Sequence, residues 1–153
     1  MTSDPEDIRG WQRLSPGITT SGRIEDGDVE RLAEIGVSHV INLAMDDHPE
    51  ALAGEGRKFA ERGIFYTHIP VPFDAPGEKH YRAFVAALEA GDTPVHVHCI
   101  ANWRVSAFFY RYHREKGMDE ARARALMEEQ WTPETNDHPA APQWAAFIAE
   151  KVG

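Results

Sequence analysis

Val95-His96-Val97-His98-Cys99-Ile100-Ala101-Asn102-Trp103-Arg104-Val105-Ser106 is the stretch on which the rest of the chain turns. Its first half alternates and is rich in valine, the pattern of a buried strand. Beyond it, Val105, Phe108, Phe109 and Tyr112 recur at i, i+3, i+4 and i+7, so a helix is expected to start near Trp103. A strand–loop–helix turn aims its free backbone N–H groups at one point, which favours an anion. In that turn lie Cys99, the only cysteine of the chain, and Arg104 five positions on. A thiol that feels a helix N-terminus and a guanidinium is pushed toward the thiolate. Taken alone, a cysteine at a strand end is a small buried hydrophobe. The combination of His98, Cys99, Arg104 and Ser106 in a strand–helix context points instead to an anion-handling nucleophile.

Strand and helix patterns alternate on either side of this stretch. A short edge strand is expected around Ile18, and a helix capped by Asp26 or Asp28 carries Val29, Leu32 and Ala33 up to Gly36. A buried strand follows over 38–45, and Pro49 is expected to open a helix holding Leu52, Phe59 and Ala60. A strand over 64–71 precedes a helix with Tyr81, Phe84, Val85 and Leu88 on one stripe. Downstream, Asp119 can cap a helix with Ala123, Leu126 and Met127, and a last helix from about Pro142 buries Trp144 and Ile148. This order predicts one α/β domain over residues 11–153: a mostly parallel sheet of four to five strands with helices on both faces. Residues 1–10 are polar and acidic and are expected to be a flexible tail. Ligands bind beyond the carboxyl ends of such sheets. The loops 46–48, 73–77 and 99–104 should therefore share one edge.

Composition narrows the partners. Hydrophobic residues make up 42% and charged residues 27%, the values of a globular domain large enough for one substantial core. A net charge of −9 argues against nucleic acid or an anionic membrane as a partner, and any attraction for an anion must come from the loop itself. A lone cysteine and an N-terminus without an apolar core fit a reducing, cytoplasmic setting.

His98-Cys99, followed by Arg104 and Ser106, resembles the phosphate-binding loop of the cysteine-dependent protein phosphatases, the dual-specificity group in particular. Upstream, Thr20-Ser21-Gly22-Arg23, then Asp28-Val29-Glu30-Arg31-Leu32, Gly36-Val37 and Val40-Ile41-Asn42-Leu43 are similar to the same pattern. The order of elements matches from about Ile18 to Tyr112. The bacterial phosphatase-like family related to the beta-lactamase-hydrolase-like proteins is the nearest in kind. The resemblance implies a protein-tyrosine-phosphatase-like fold and hydrolysis of phosphate monoesters on a phosphorylated protein or small molecule. It implies Cys99 as nucleophile, with Arg104 and the amides of Ile100, Ala101, Asn102 and Trp103 around the phosphate. It further implies Ser106 as a hydroxyl for the thiolate, His98 as a buried organiser of the loop, and an acid on the loop of Asp74.

Two features depart from that pattern. Four residues separate Cys99 from Arg104 where the phosphatases have five, and one helical position is a rotation of roughly 100°. The loop also lacks glycine, so its backbone is less free to curl. The four-residue gap is similar to the shorter loop of rhodanese-type sulfurtransferases, in which Cys99 would carry a persulfide. A third reading is an inactive module that binds anions or phosphopeptides. Asp74 could equally serve turn chemistry before Pro76, with Asp46 and Asp47 as alternative acids. Ser106 could bond to backbone in the first helical turn, and Trp103 could select flat substrates or simply pack. No cofactor is expected. His96, His98 and Cys99 suggest a metal only superficially, because no further ligand stands at a suitable spacing. Glu134, Asn136 and His138 lie in a Pro-rich loop that could close over the site.

Overall fold

The alternation of apolar runs with turn residues resolves, in a computed structural model describing residues 3–91 and 93–150, into five strands and six helices. Residues 1 and 2 of the expected tail and 151–153 of the expected domain lie outside the described residues. The strands are β1 (Gln12–Ser15), β2 (Ile18–Ser21), β3 (His39–Asn42), β4 (Phe65–His68) and β5 (Val95–His98). The helices are α1 (Asp26–Glu34), α2 (Glu55–Ala60), α3 (Glu78–Leu88), α4 (Trp103–Glu115), α5 (Glu120–Glu128) and α6 (Ala141–Ala149). The sheet runs β1-β2-β5-β3-β4, with every pair parallel except the β1–β2 hairpin. β5, the strand that delivers Cys99, is therefore central.

Alternation along the strands divides the core into two layers. Ile41, Val95, Val97 and Cys99 face a cluster built from α3, α4, α5 and α6, with Phe84, Phe108 and Trp144 at its heart. Val40 faces the other layer, where α1 supplies Val29 and Leu32 and α2 supplies Phe59. The mostly parallel, doubly covered α/β architecture expected from the sequence is the one observed.

Several local expectations are corrected. The strand at Ile18 is not an edge, since β2 lies between β1 and β5; the edges are β1 and β4. α1 is entered from Glu25, whose N–H donates to Asp28 in the first turn (2.9 Å), so neither Asp26 nor Asp28 is itself the cap. The helix expected from Pro49 begins only at Glu55, behind Gly54 in a left-handed conformation (φ 66°). A turn in which His48 Nδ1 accepts from Glu50 N–H holds the chain out of helix there. Asp119 caps α5 as expected, accepting from Ala121 N–H at 3.1 Å. Where a flexible tail is expected, Ile8 lies in the second core layer and the Arg9 carbonyl accepts from Gly22 N–H.

Candidate active site

A cleft of about 640 Å³ opens at the carboxyl ends of the parallel strands. Its lining comes from the three loops that the topology puts on one edge: Met45 and Asp47 to Pro49 after β3, Pro72 to Asp74 after β4, and Cys99 to Ala101 with Trp103 and Arg104 after β5, with His138 and Ala140 from the segment before α6. Cys99, fully buried, sits where β5 gives way to the loop.

The loop curls without glycine because Asn102 takes the left-handed conformation (φ 66°) that asparagine tolerates better than most residues. Its side chain holds that shape, donating to Gly10 O (2.7 Å) and Thr20 Oγ1 (3.0 Å). Asn102 is also the residue that enters α4, yet it makes no side-chain cap. The first-turn N–H groups of α4 are thus left for an anion. On the outer side, Arg23 N–H donates to Ile100 O (2.9 Å), and Gly22 packs so closely that a β-carbon there would lie 2.5 Å from the same oxygen. The glycine is required by that approach.

Arg104 lines the cleft with Cys99 although it stands one position early. The next residue, Val105, is fully buried in the core, and this fixes the phase of the first helical turn so that Arg104 faces the cleft. Its Nε donates to Val71 O (2.8 Å) and its guanidinium carbon lies 5.1 Å from the centre of the Phe73 ring. Asp74 is exposed on the rim of the same cleft. Asp47 also lines it, whereas Asp46 borders a separate depression beside Asn42 and Tyr66.

Of the two roles open to Ser106, the bond to backbone is the one observed: its Oγ donates to Trp103 O (3.2 Å), the back-bond to the preceding turn that serine makes in helices, and it does not line the cleft. Of the segment expected to close over the site, His138 reaches the cleft. Glu134 is turned away, paired with Arg124 at 3.0 Å.

The two histidines of β5 share a face and have opposite surroundings. His96 lies between Thr19 Oγ1 and Ser21 Oγ, each 2.8 Å from a ring nitrogen, and stacks on Trp11. Burial pushes its pKa well below the usual range, so it is neutral. His98 contacts Cys99 O through Nδ1 (3.2 Å) and the Glu55 carboxylate through Nε2 (2.5 Å). Glu55 was not legible as a site residue: a glutamate at a helix start is ordinary dipole compensation, and nothing local announces a buried one. Beside it, Tyr66 has its phenol pKa pushed up by burial and by Glu55, and its oxygen accepts from Asn42 Nδ2.

The cleft walls are aromatic. Trp103 stacks on Trp131 with 4.8 Å between centroids and 1° between planes, and Trp131 Nε1 donates to Trp103 O. Phe73 packs against both, and Trp144 Nε1 holds its carbonyl at 2.6 Å. Among the described residues, no group of three or more His, Cys, Asp or Glu side chains is gathered as metal ligands. The arrangement combines a thiol, an uncapped helix N-terminus, a fixed guanidinium and a rim carboxylate. These are the parts needed to attack and release a bound tetrahedral anion.

Residues 10–110 match the family model described as beta-lactamase hydrolase-like protein, phosphatase-like domain. No curated protein matches the chain. Among solved structures, a DUF442 protein from Shewanella putrefaciens CN-32, described as a candidate phosphatase, is 31% identical, with a TM-score of 0.78 over 94% of this chain and 88% of that one. A cysteine-to-serine variant of P. aeruginosa TpbA in complex with phosphotyrosine shares the fold at 19% identity, with a TM-score of 0.71 and coverage of 97% and 87%. The core catalytic domain of the S. cerevisiae PP-IP phosphatase SIW14, in complex with citrate, shares it at 12% identity, with a TM-score of 0.72 and coverage of 92% and 84%.

Proposed function

The chain belongs to the phosphatase-like domain family of the beta-lactamase hydrolase-like proteins, and from that premise we propose that it is a cysteine-dependent phosphatase of phosphate monoesters, aryl esters above all. Cys99 thiolate attacks phosphorus, forming the P–S bond as the ester P–O bond breaks. Asp74 gives its proton to the leaving oxygen. Arg104 and the free amides of residues 100–104 hold the equatorial oxygens as charge shifts among them. Water then attacks the thiophosphate, giving a proton back to Asp74, and phosphate leaves as the thiolate is restored.

The observation that carries this reading is the convergence of Cys99, Arg104 and Asp74 on one cleft at the start of α4. Phe73 and Trp103 beside them favour a flat leaving group, and Arg104 is the lone arginine or lysine of the cleft lining among the described residues. One cation suits a monoester better than a polyphosphate. The same proposal gives residues 11–153 as the catalytic domain and a phosphorylated protein or small molecule as the partner. A lone thiolate nucleophile suits a reducing compartment, and the same reading puts the protein in the cytoplasm. No helix among the described residues is long and apolar enough to cross a membrane.

The test is a paired assay of the protein and Cys99→Ser. One arm offers an aryl phosphate; the other offers thiosulfate with cyanide as acceptor. Cys99-dependent phosphate release is expected. Thiocyanate without phosphate release would replace this reading by sulfur transfer, and silence in both arms would leave a binding module.

A further inference from the structure

We propose that Glu55 is a positioning residue for the cysteine loop: it holds a second proton on His98, so that an imidazolium is anchored beneath Cys99. The donors and acceptors around the ring require this. The Cys99 carbonyl can only accept, so His98 Nδ1 carries a hydrogen. The Glu55 carboxylate, 2.5 Å from Nε2, accepts as well, so the second ring nitrogen also donates. His98 and Glu55 are 2% and 6% exposed, and a buried carboxylate is tolerated when it is paired and hydrogen-bonded. Among the described residues, His98 is the ion-pair partner of Glu55.

His96 is the internal control. It lies two residues away on the same face, and both its partners are hydroxyls, which can donate or accept. A neutral ring satisfies them. Replacing two hydroxyls by a carboxylate and a carbonyl is what makes His98 a cation.

The consequence is local. The Nδ1–H bond fixes the Cys99 carbonyl, and a positive charge beside the loop favours the thiolate. His96 from β5 lies beside the His98 ring and is neutral, and Glu55 faces Tyr66 from β4, a phenol at ordinary pH. Asp46, from the loop after β3, and His68 from β4 line the depression that Glu55 and Tyr66 share. Cys99 itself faces Arg104 from α4, and Asp47, His48, Asp74 and His138 across the cleft. Arg104 is held by Val71 O and not by Glu55, so the contribution of Glu55 can be read on its own.

This inference rests on the phosphatase reading only for the use of the thiolate, and its test needs no substrate. Cys99 is the sole cysteine, so the ultraviolet absorbance of the thiolate, with Cys99→Ser as blank, titrates it alone. Glu55→Gln keeps the size and removes the charge; the thiolate midpoint should rise by about one pH unit, and Glu55→Asp should restore part of it. Nitrogen-15 spectra of the unaltered protein should show both His98 ring nitrogens protonated at neutral pH. A folded Glu55→Gln protein with an unmoved midpoint, or a native His98 with a single ring proton, would overturn the proposal. If Glu55→Gln does not fold, the ring-nitrogen measurement decides alone. A protein that shows both signatures yet hydrolyses no phosphate ester would refute the phosphatase reading and leave the role of Glu55 standing.

Discussion

The floor and the walls of the cleft are built by different rules. The floor is polar and over-determined: Asn102 is tied to Gly10 and Thr20, Arg104 to Val71, and His98 to Glu55. The walls are aromatic and meet the floor at two points, Phe73 over the Arg104 guanidinium and Trp103 at the helix start. A hydrogen-bonded floor has one geometry, because each donor lost leaves a buried partner unsatisfied. Aromatic walls tolerate change in shape and act through contact area. The floor should therefore govern turnover, and the walls should govern which substrate is held.

Substitutions that separate the two give graded outcomes. Arg104→Ala removes a preorganised charge and leaves Val71 O unpaired, so kcat for an aryl phosphate should fall by about 10²–10³-fold; a loss confined to KM would place Arg104 with the walls. Asp74→Asn should lower kcat by about 10²-fold for an alkyl phosphate, and far less for a nitrophenyl ester whose oxygen leaves unprotonated. Equal losses on both substrates would remove Asp74 from the acid role. Trp103→Ala should raise KM for an aryl phosphate by about tenfold with little change in kcat, the scale of one lost aromatic contact. An equal rise for an alkyl ester would mean that Trp103 supports the loop instead of selecting the leaving group. Gly22→Ala, whose β-carbon would press on Ile100 O, should cost about 1–3 kcal/mol in denaturant unfolding. A smaller cost would show that the outer side of the loop can yield.

How much of this could be read from the chain follows the same division. β5, the start of α4 and the alternation behind the sheet were legible because their signals are periodic and local. So was the meeting of three loops on one edge, which follows from parallel topology alone. What escaped depends on contacts distant in sequence. Glu55 reaches His98 across 43 positions, and a helix-start glutamate carries no mark of its burial. The left-handed turn at Asn102 replaces a glycine only because Gly10 and Thr20, far upstream, hold its side chain. The displacement of Arg104 looked disruptive on a helical wheel, yet it is absorbed by Val105, whose burial sets the phase. Ser106 illustrates the converse. Its position fitted a family role, and its geometry follows the local preference of serine in a first turn.

The central claim is that Cys99 becomes covalently bonded to phosphorus during turnover. Acid quenching of the protein with an aryl phosphate, followed by peptide mass spectrometry, tests it most directly. The account predicts a phosphoryl group on the Cys99 peptide that appears with turnover, is absent from Cys99→Ser, and accumulates in Asp74→Asn, where its hydrolysis is slowed. Phosphate release with no adduct on Cys99 under any of these conditions would contradict it.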